Sequence, residues 1–280
     1  MHHLILTFSC QDTQGIVHAV TGAIVGCQGN NTELQQFSST DTGRFFMRVE
    51  VDTPVAVAQF RGAIAEVAAG LQATWQVHET GRLTRALVLV SRAGAPLNDL
   101  LFRTRSGELP VEIPMILSNH DTLRPLAEFY GIRFDSAPVT PATKPAFEAR
   151  IQQVVHELDV DLVVLARYMQ ILSPGLCDHL AGRAINIHHS FLPGFKGANP
   201  YRQAHARGVK LIGATAHFVT SDLDEGPIIE QNVQRVDHSC SVTELTNIGQ
   251  GLESHTLTAA VRLFAEKRIF LDGDRTVIFS

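Results

Sequence analysis

The sequence predicts an α/β protein of two domains, in which a small βαββαβ unit precedes a doubly wound, mainly parallel sheet. Residues 1–82 give the order strand, helix, hairpin, helix, strand. Residues 83–280 instead place continuous aliphatic runs between helical patterns, which is typical of a sheet covered by helices on both faces. A length of 280 residues also suits two domains better than one.

The elements of the first segment follow from their periodicity and turn chemistry. Two amphipathic patterns predict helices, one beginning at Ile16 and one following Pro54. The turn at Asp41–Gly43 predicts a hairpin. The predicted strands are Leu4–Ser9, 31–39, Phe45–Val51 and Trp75–His78.

The amino-terminal order, with Asp12, Gly15 and Ile16 at the first strand–helix junction, resembles the ACT domain, a small amino-acid-sensing module. The resemblance covers roughly residues 1–80. It implies that this regulatory segment mediates self-association into a homo-oligomer, a dimer or a tetramer, and binds an effector such as glycine through these three residues. From the residues alone, Asp12 and Gly15 could equally cap a helix. A polar joint at residues 81–85 separates this domain, residues 1–82, from a catalytic domain of residues 83–280.

Continuous aliphatic runs mark the strands of the second segment, and helical patterns lie between them. In such sheets ligands bind beyond the carboxyl ends of the strands, so the residues that follow each strand are candidates for the site. The predicted strands are Ala86–Val90, Ile113–Leu117, Leu162–Ala166 and Ala184–Ile187, and the helices lie around Asn98–Thr104, Leu123–Tyr130 and Phe147–Leu158.

Composition and charge exclude several classes of function. The net charge is −5 and no run of Lys and Arg forms a basic stripe, which argues against nucleic acid as a partner. No signal-peptide pattern opens the chain, and no apolar run approaches the roughly 18–20 residues that cross a bilayer, so we expect a cytoplasmic protein. The cysteines lack zinc-ligand spacing, so we expect them to be reduced and structural, with no metal. They are Cys10, Cys27, Cys177 and Cys240.

Three polar residues carry the predicted chemistry. Strand alternation places Asn186 and His188 on one face, with Ile187 turned into the core. An amide and a protonated imidazole can donate hydrogen bonds to a carbonyl oxygen that gains negative charge. Asp224, before the turn Gly226–Pro227, is the candidate carboxylate that favours the charged imidazole and takes a proton from water.

Three motifs in order, Asn-Ile-His-x-Ser-x-Leu-Pro, Gly-x-Thr-x-His-x-Val and Asp-x-Gly-x-Ile-Ile, resemble the formyltransferase family that uses 10-formyltetrahydrofolate. The resemblance implies that Asn186, His188 and Asp224 are catalytic. It also implies a set of folate-binding residues, among which Gln170 stands where the family often has Arg, while His217 could equally be a strand His satisfied by a neighbour. That set is Met169, Gln170, Ile171, Leu172, His217, Leu223 and Glu225.

Within that family the chain is most similar to the formyltetrahydrofolate deformylases. The turn Ser91–Leu97 has one glycine and includes Pro96, which poorly supports a phosphate cradle, and no tRNA-binding domain is visible. The ACT-like segment, the loop Ser118–Asp121 and the stretch Phe195–Tyr201 carry the resemblance. It implies hydrolysis of 10-formyltetrahydrofolate to formate and tetrahydrofolate, with water as the acceptor and folate as the small-molecule partner.

Two features depart from the deformylase pattern, and two rival functions remain open. Gln11 stands where Pro is usual, and the helix at residues 244–251 is less charged than usual. A same-fold enzyme could pass the formyl group to a small amine. A catalytically silent folate or amino-acid sensor is the rival from another class.

Overall fold

The computed structural model describes residues 1–192 and 200–280. The described chain divides into two compact units, one formed by Met1–Arg82 with Lys267–Ser280 and the other by Leu83–Glu266. Most of the stretch from Phe195 to Tyr201, which contributes to the resemblance above, lies outside the described residues.

The first unit contains a four-stranded antiparallel sheet and two helices in the order βαββαβ. The strands lie in the spatial order β2-β3-β1-β4, so the first strand is central and pairs with both β3 and β4. The elements are β1 (His2–Gln11), α1 (Ile16–Gly26), β2 (Asn30–Ser38), β3 (Arg44–Thr53), α2 (Val57–Leu71) and β4 (Thr74–Glu79).

One face of this sheet and one stripe of each helix form the core of the first unit. Alternate residues of β1, such as Leu6 and Phe8, are fully buried. They pack against Val20 of α1 and Ile64 of α2, which are also fully buried. The period-two pattern of the strands and the three- and four-residue pattern of the helices therefore meet in one core.

The second unit is a seven-stranded sheet in the spatial order β11-β10-β9-β8-β5-β6-β7. The strands from β5 to β9 pair in parallel, whereas β10 and β11 are antiparallel to their neighbours, so the prediction of a mainly parallel sheet is confirmed. The strands are β5 (Thr84–Val90), β6 (Val111–Ser118), β7 (Arg133–Ser136), β8 (Leu162–Ala166), β9 (Ala184–His188), β10 (Leu211–Phe218) and β11 (Ile228–Arg235). The helices are α3 (Ala95–Arg105), α4 (Arg124–Tyr130), α5 (Lys144–Glu157), α6 (Pro174–His179), α7 (Pro200–Arg207) and α8 (Val242–Ala265).

The central strands of this sheet are buried on both faces, as their continuous aliphatic sequences require. All five residues of β8 are buried, and α5 contributes Ile151 to the core beside that strand. Helix α8 begins with a capping box in which Ser241 and Glu244 satisfy each other's backbone N–H groups. Among the residues that the structure describes, no helix is long and apolar enough to span a membrane.

The carboxyl-terminal residues correct the sequence-based domain boundary. The hairpin of β12 (Ile269–Asp272) and β13 (Arg275–Ile278) belongs to the first unit, whereas the sequence assigned it to the second domain. An aromatic cluster accounts for the difference, because Phe270 packs edge-on against Phe46 of β3 and against Phe279, with ring centroids 5.8 and 5.3 Å away. The second unit therefore ends at Glu266.

Candidate active site

Strand β9 carries two polar side chains on the same face at its carboxyl end. Asn186 and His188 are separated by Ile187, which is buried in the core, so the alternation predicted from the sequence is present. Neighbouring strand β10 runs antiparallel to β9 and places His217 directly opposite Asn186. Three side chains from two strands therefore converge on one face.

His217 holds the Asn186 amide in a fixed orientation. Its Nδ1 lies 2.8 Å from the Phe218 carbonyl oxygen, which can only accept, so Nδ1 carries the proton. Burial lowers the pKa of His217, so the ring is neutral and its Nε2 accepts a hydrogen bond from the Asn186 amide at 3.2 Å. One amide N–H of Asn186 is used in this bond, and the other remains available for a ligand.

Asp224 approaches the same face from the loop that follows β10. Its Oδ1 accepts a hydrogen bond from His188 Nδ1 at 3.1 Å and lies 3.8 Å from His217 Nε2. The hydrogen bond from His188 holds the pKa of Asp224 below its usual value, although burial acts in the opposite direction. The carboxylate is therefore ionised next to the imidazole.

The loop backbone that presents Asp224 is strained and tightly packed. Asp224 has φ of 57°, a left-handed conformation that Asp tolerates better than most residues. Two residues later, a side chain on Gly226 would collide with the backbone of Phe218. Such strain persists only where the surrounding structure imposes it, and it is concentrated at functional sites.

The second ring nitrogen of His188 has no hydrogen-bond partner in the described part of the chain. His188 is 5% exposed, and its buried Nε2 makes no hydrogen bond to any residue within 1–192 or 200–280. Burying such a group costs free energy unless something binds to it. Because Nδ1 is engaged by Asp224, Nε2 is the nitrogen that can interact with a ligand.

These side chains line a cavity of about 260 Å³. Met169 and Ile171 form one wall and are 61% and 60% exposed, which leaves their apolar side chains and the adjacent backbone open to a ligand. Of the residues predicted to bind folate, the structure brings six to this cavity, whereas Glu225 lies outside its lining. The six are Met169, Gln170, Ile171, Leu172, His217 and Leu223.

Two buried polar residues that the sequence analysis did not assign to the site fix the loop that begins at Met169. Ser91, directly after β5, accepts a hydrogen bond from the Met169 backbone N–H at 2.9 Å and donates one to Asn119 at 2.7 Å. Asn119 directly follows β6. A search for polar residues at the carboxyl ends of neighbouring strands could have found both.

The predicted effector residues lie in the first unit, in the turn between β1 and α1. Asp12 is exposed, and its side chain makes no capping bond to α1. Gly15 has φ of 92°, which favours glycine, and Ile16 is buried in the core. The Gln11 side chain donates to the Gly43 carbonyl at 2.8 Å and ties this turn to the neighbouring hairpin.

The chain is similar to known proteins over its full length. The formyl transferase family model matches residues 84–261, which covers the second unit, so the chain belongs to the formyl transferases. Within them it belongs to the formyltetrahydrofolate deformylase family. A deformylase from Corynebacterium sp. is 47% identical over 98% of this chain and 97% of its own length, and the Escherichia coli K12 deformylase is 36% identical over 99% and 100%.

Solved structures agree with this placement. A formyltetrahydrofolate deformylase from Burkholderia mallei superposes with a TM-score of 0.97 at 48% identity and covers all of both chains. A glycinamide ribonucleotide transformylase from Symbiobacterium toebii has a TM-score of 0.66 at 34% identity and covers 72% of this chain and 97% of its own. The similarity to deformylases therefore extends over both units.

His189, which the sequence left without a role, makes protein stability depend on pH. Burial, together with the nearby charge of Arg167, lowers the pKa of His189 from 6.5 to about 4. Between pH 6.5 and about pH 4 the unfolded chain binds a proton at His189 that the folded chain does not. The contribution of this group to the free energy of unfolding is therefore greatest above pH 6.5 and decreases as the pH falls towards 4.

We predict that His189→Gln makes this acid-induced loss of stability smaller. The free energy of unfolding in urea, measured at about pH 7 and about pH 5, should differ less in the variant than in the unmodified protein. His179→Gln, a change at an exposed position of α6, is the matched control and should leave the difference unchanged. An equal loss in the His189 variant and the unmodified protein would contradict the assignment.

Proposed function

We propose that this chain hydrolyses 10-formyltetrahydrofolate to formate and tetrahydrofolate. The observation that carries the proposal is the convergence of Asn186, His188 and Asp224 on one cavity, in a chain that is similar over its whole length to proteins named formyltetrahydrofolate deformylase. An amide, an imidazole and a carboxylate are the groups that hydrolysis of a formyl C–N bond needs.

Asn186 and His188 stabilise the carbonyl oxygen as water adds to the formyl carbon. Asn186 has one amide N–H left after its bond to His217, and His188 Nε2 has no partner among the described residues. Both can donate to the oxygen that becomes negative in the tetrahedral intermediate. Because their orientations are set before the substrate binds, stabilising this charge requires no further reorganisation.

Asp224 assists the proton transfers. Its carboxylate is ionised at neutral pH, and it favours the protonated form of the neighbouring His188 ring. As the water oxygen bonds to the formyl carbon, Asp224 takes a proton from that water. The proton passes to the folate nitrogen when the C–N bond breaks and the oxyanion becomes a carbonyl again. The product acid loses its remaining proton to solvent, and formate and tetrahydrofolate leave.

The folate ring is bound between two loops. Backbone groups from Met169 to Leu172 contact the pterin on one side, and the loop around Leu223 does so on the other. The hydrogen bond from the Met169 N–H to Ser91 supports this role because it fixes the first loop without using its side chains. Replacement of the usual Arg by Gln170 leaves such backbone contacts intact.

Water, rather than an amine, is the acceptor in this proposal. Helix α3, which follows the first strand of the second unit, has Pro96 in its first turn and therefore lacks one of the N–H groups that would hold a substrate phosphate. The similarity to deformylases over both units also favours hydrolysis over transfer to a phosphate-bearing amine.

The first unit is proposed to be an ACT-like regulatory domain through which the chain forms a homo-oligomer and binds an amino acid such as glycine. Its βαββαβ order and antiparallel sheet support this, as does the exposed turn with Asp12 and Gly15. Calorimetric titration of the full chain with glycine tests effector binding, and an absence of binding heat would contradict it.

The first experiment incubates the purified protein with 10-formyltetrahydrofolate alone and follows formate and tetrahydrofolate. We expect both products in equal amounts with no amine present. We also expect no change with a chelator, since the proposed chemistry uses no metal. Products that form only after an amine is added would support formyl transfer, and an absence of turnover would support a silent sensor.

We predict that Asp224→Asn nearly abolishes hydrolysis while folate still binds. The change keeps the side-chain size but removes the charge that pairs with His188 and accepts the proton. Asn186→Ala should also lower turnover, by about 10²–10³-fold, which is the usual cost of one oxyanion donor. Steady-state turnover and folate affinity are to be measured on the same preparations, because the loss belongs to the transition state.

Asp178→Asn, which removes an exposed carboxylate from α6, is the matched control and should keep normal turnover. If Asp224→Asn also retains near-normal turnover, the assignment of the water-activating residue is wrong. If instead folate affinity falls as much as turnover does, Asp224 acts in substrate binding.

A further inference from the structure

Helix α8 carries a buried carboxylate, Glu253, beside the catalytic cavity. Glu253 is 1% exposed, and its Oε1 accepts a hydrogen bond from the Tyr201 hydroxyl at 2.5 Å. The same oxygen lies 3.4 Å from Nη1 of Arg167. Burial raises the pKa of Glu253, whereas Arg167 and the Tyr201 hydrogen bond act against that rise. In its ionised form Glu253 pairs its negative charge with the guanidinium of Arg167.

Helix α8 leaves space for Tyr201 next to Glu253. Gly249 lies one turn before Glu253, and a side chain there would collide with the Tyr201 ring. Tyr201 stands near the start of α7 and can reach Glu253 because Gly249 has no side chain. Gly249 belongs to residues 244–251, the helix segment that is less charged than is usual in deformylases. This segment therefore leaves space for the tyrosine ring.

Arg167 connects this buried pair with the catalytic cavity. It is the first residue after β8, has φ of 62°, and lines the cavity together with His188 and His189. The charge of Arg167 helps to lower the pKa of His189, and the charge of His188 acts on Glu253. Arg167 therefore shares the cavity wall with the catalytic imidazole, and the charges of His188 and Glu253 interact.

We propose that Arg167 and Glu253 are positioning residues whose paired charges cancel beside His188. The imidazole is also faced by Asp224, His217 and His189, of which the two histidines are neutral. With Arg167 and Glu253 both present, the carboxylate of Asp224 is the net charge that the His188 ring faces. Removing Glu253 alone leaves an unopposed guanidinium, which disfavours the protonated imidazole.

The test rests on the proposed hydrolysis and uses the pH dependence of kcat/KM. In Glu253→Gln, the limb on which kcat/KM falls with rising pH should move to lower pH by about 0.5–1 unit. The reason is that an unopposed cation in the wall of the same cavity disfavours a positively charged imidazole. Adding Arg167→Met removes that cation and should return the limb towards its original position. Adding Arg167→Lys instead keeps the charge and should leave the limb shifted.

A purely structural role predicts no such rescue, since removing a second partner from a buried site causes further damage. The proposal is overturned if the limb is unmoved in Glu253→Gln, or if it stays shifted after Arg167→Met is added. Glu112→Gln is the control, because Glu112 is an exposed carboxylate near the start of β6, at the opposite end of the sheet, and it should keep the original profile.

Two further measurements distinguish a failure of this proposal from a failure of the proposed hydrolysis. Formate release by the unmodified protein tests the proposed function separately, before any variant is compared. If Glu253→Gln is folded but too slow to assay, the His188 ring can be titrated by NMR in the same three variants. The direction in which the midpoint of the His188 titration moves in each variant then supports or overturns the proposal in the same way.

Discussion

The hydrogen bond between His188 and Asp224 is the interaction on which the geometry of the site depends. It joins the carboxyl end of β9 to the loop that follows β10. The backbone of this loop is strained at Asp224, and at Gly226 the packing leaves no space for a side chain. Because His188 uses Nδ1 for this bond, its Nε2 is directed to the cavity by default. One contact thus fixes the imidazole, keeps the carboxylate ionised and leaves a donor for the substrate.

Several of the polar groups around His188 satisfy one another. His217 is held neutral by burial, so it accepts from Asn186 instead of competing with it for a substrate oxygen. His189 is also neutral, and Arg167 is opposed by Glu253. Low dielectric strengthens every interaction in such a site, which makes unpaired charges costly and well-paired ones effective. Asp224 therefore supplies a negative charge to the cavity, and Asn186 and His188 supply hydrogen-bond donors.

Much of the fold follows from sequence periodicity, and the shared face of Asn186 and His188 follows from strand alternation. The aliphatic run Leu162–Ala166 predicts a strand buried on both faces. Asn186 and His188 share one face of their strand because they are two residues apart. The sequence could not assign the carboxyl-terminal hairpin to the first unit, because its two short strands pack through Phe46, more than 200 residues away in the chain. For the same reason Arg167 and Glu253, 86 positions apart, carried no local signal of their pairing.

The most direct test of the account is a double-mutant cycle on kcat/KM between His188 and Asp224. If the two residues act as one unit, Asp224→Asn and His188→Gln should each remove most of the rate, and the double variant should be about as slow as the slower single variant. Losses that multiply in the double variant would show that the residues act independently. That result would contradict the claim that their hydrogen bond organises the site.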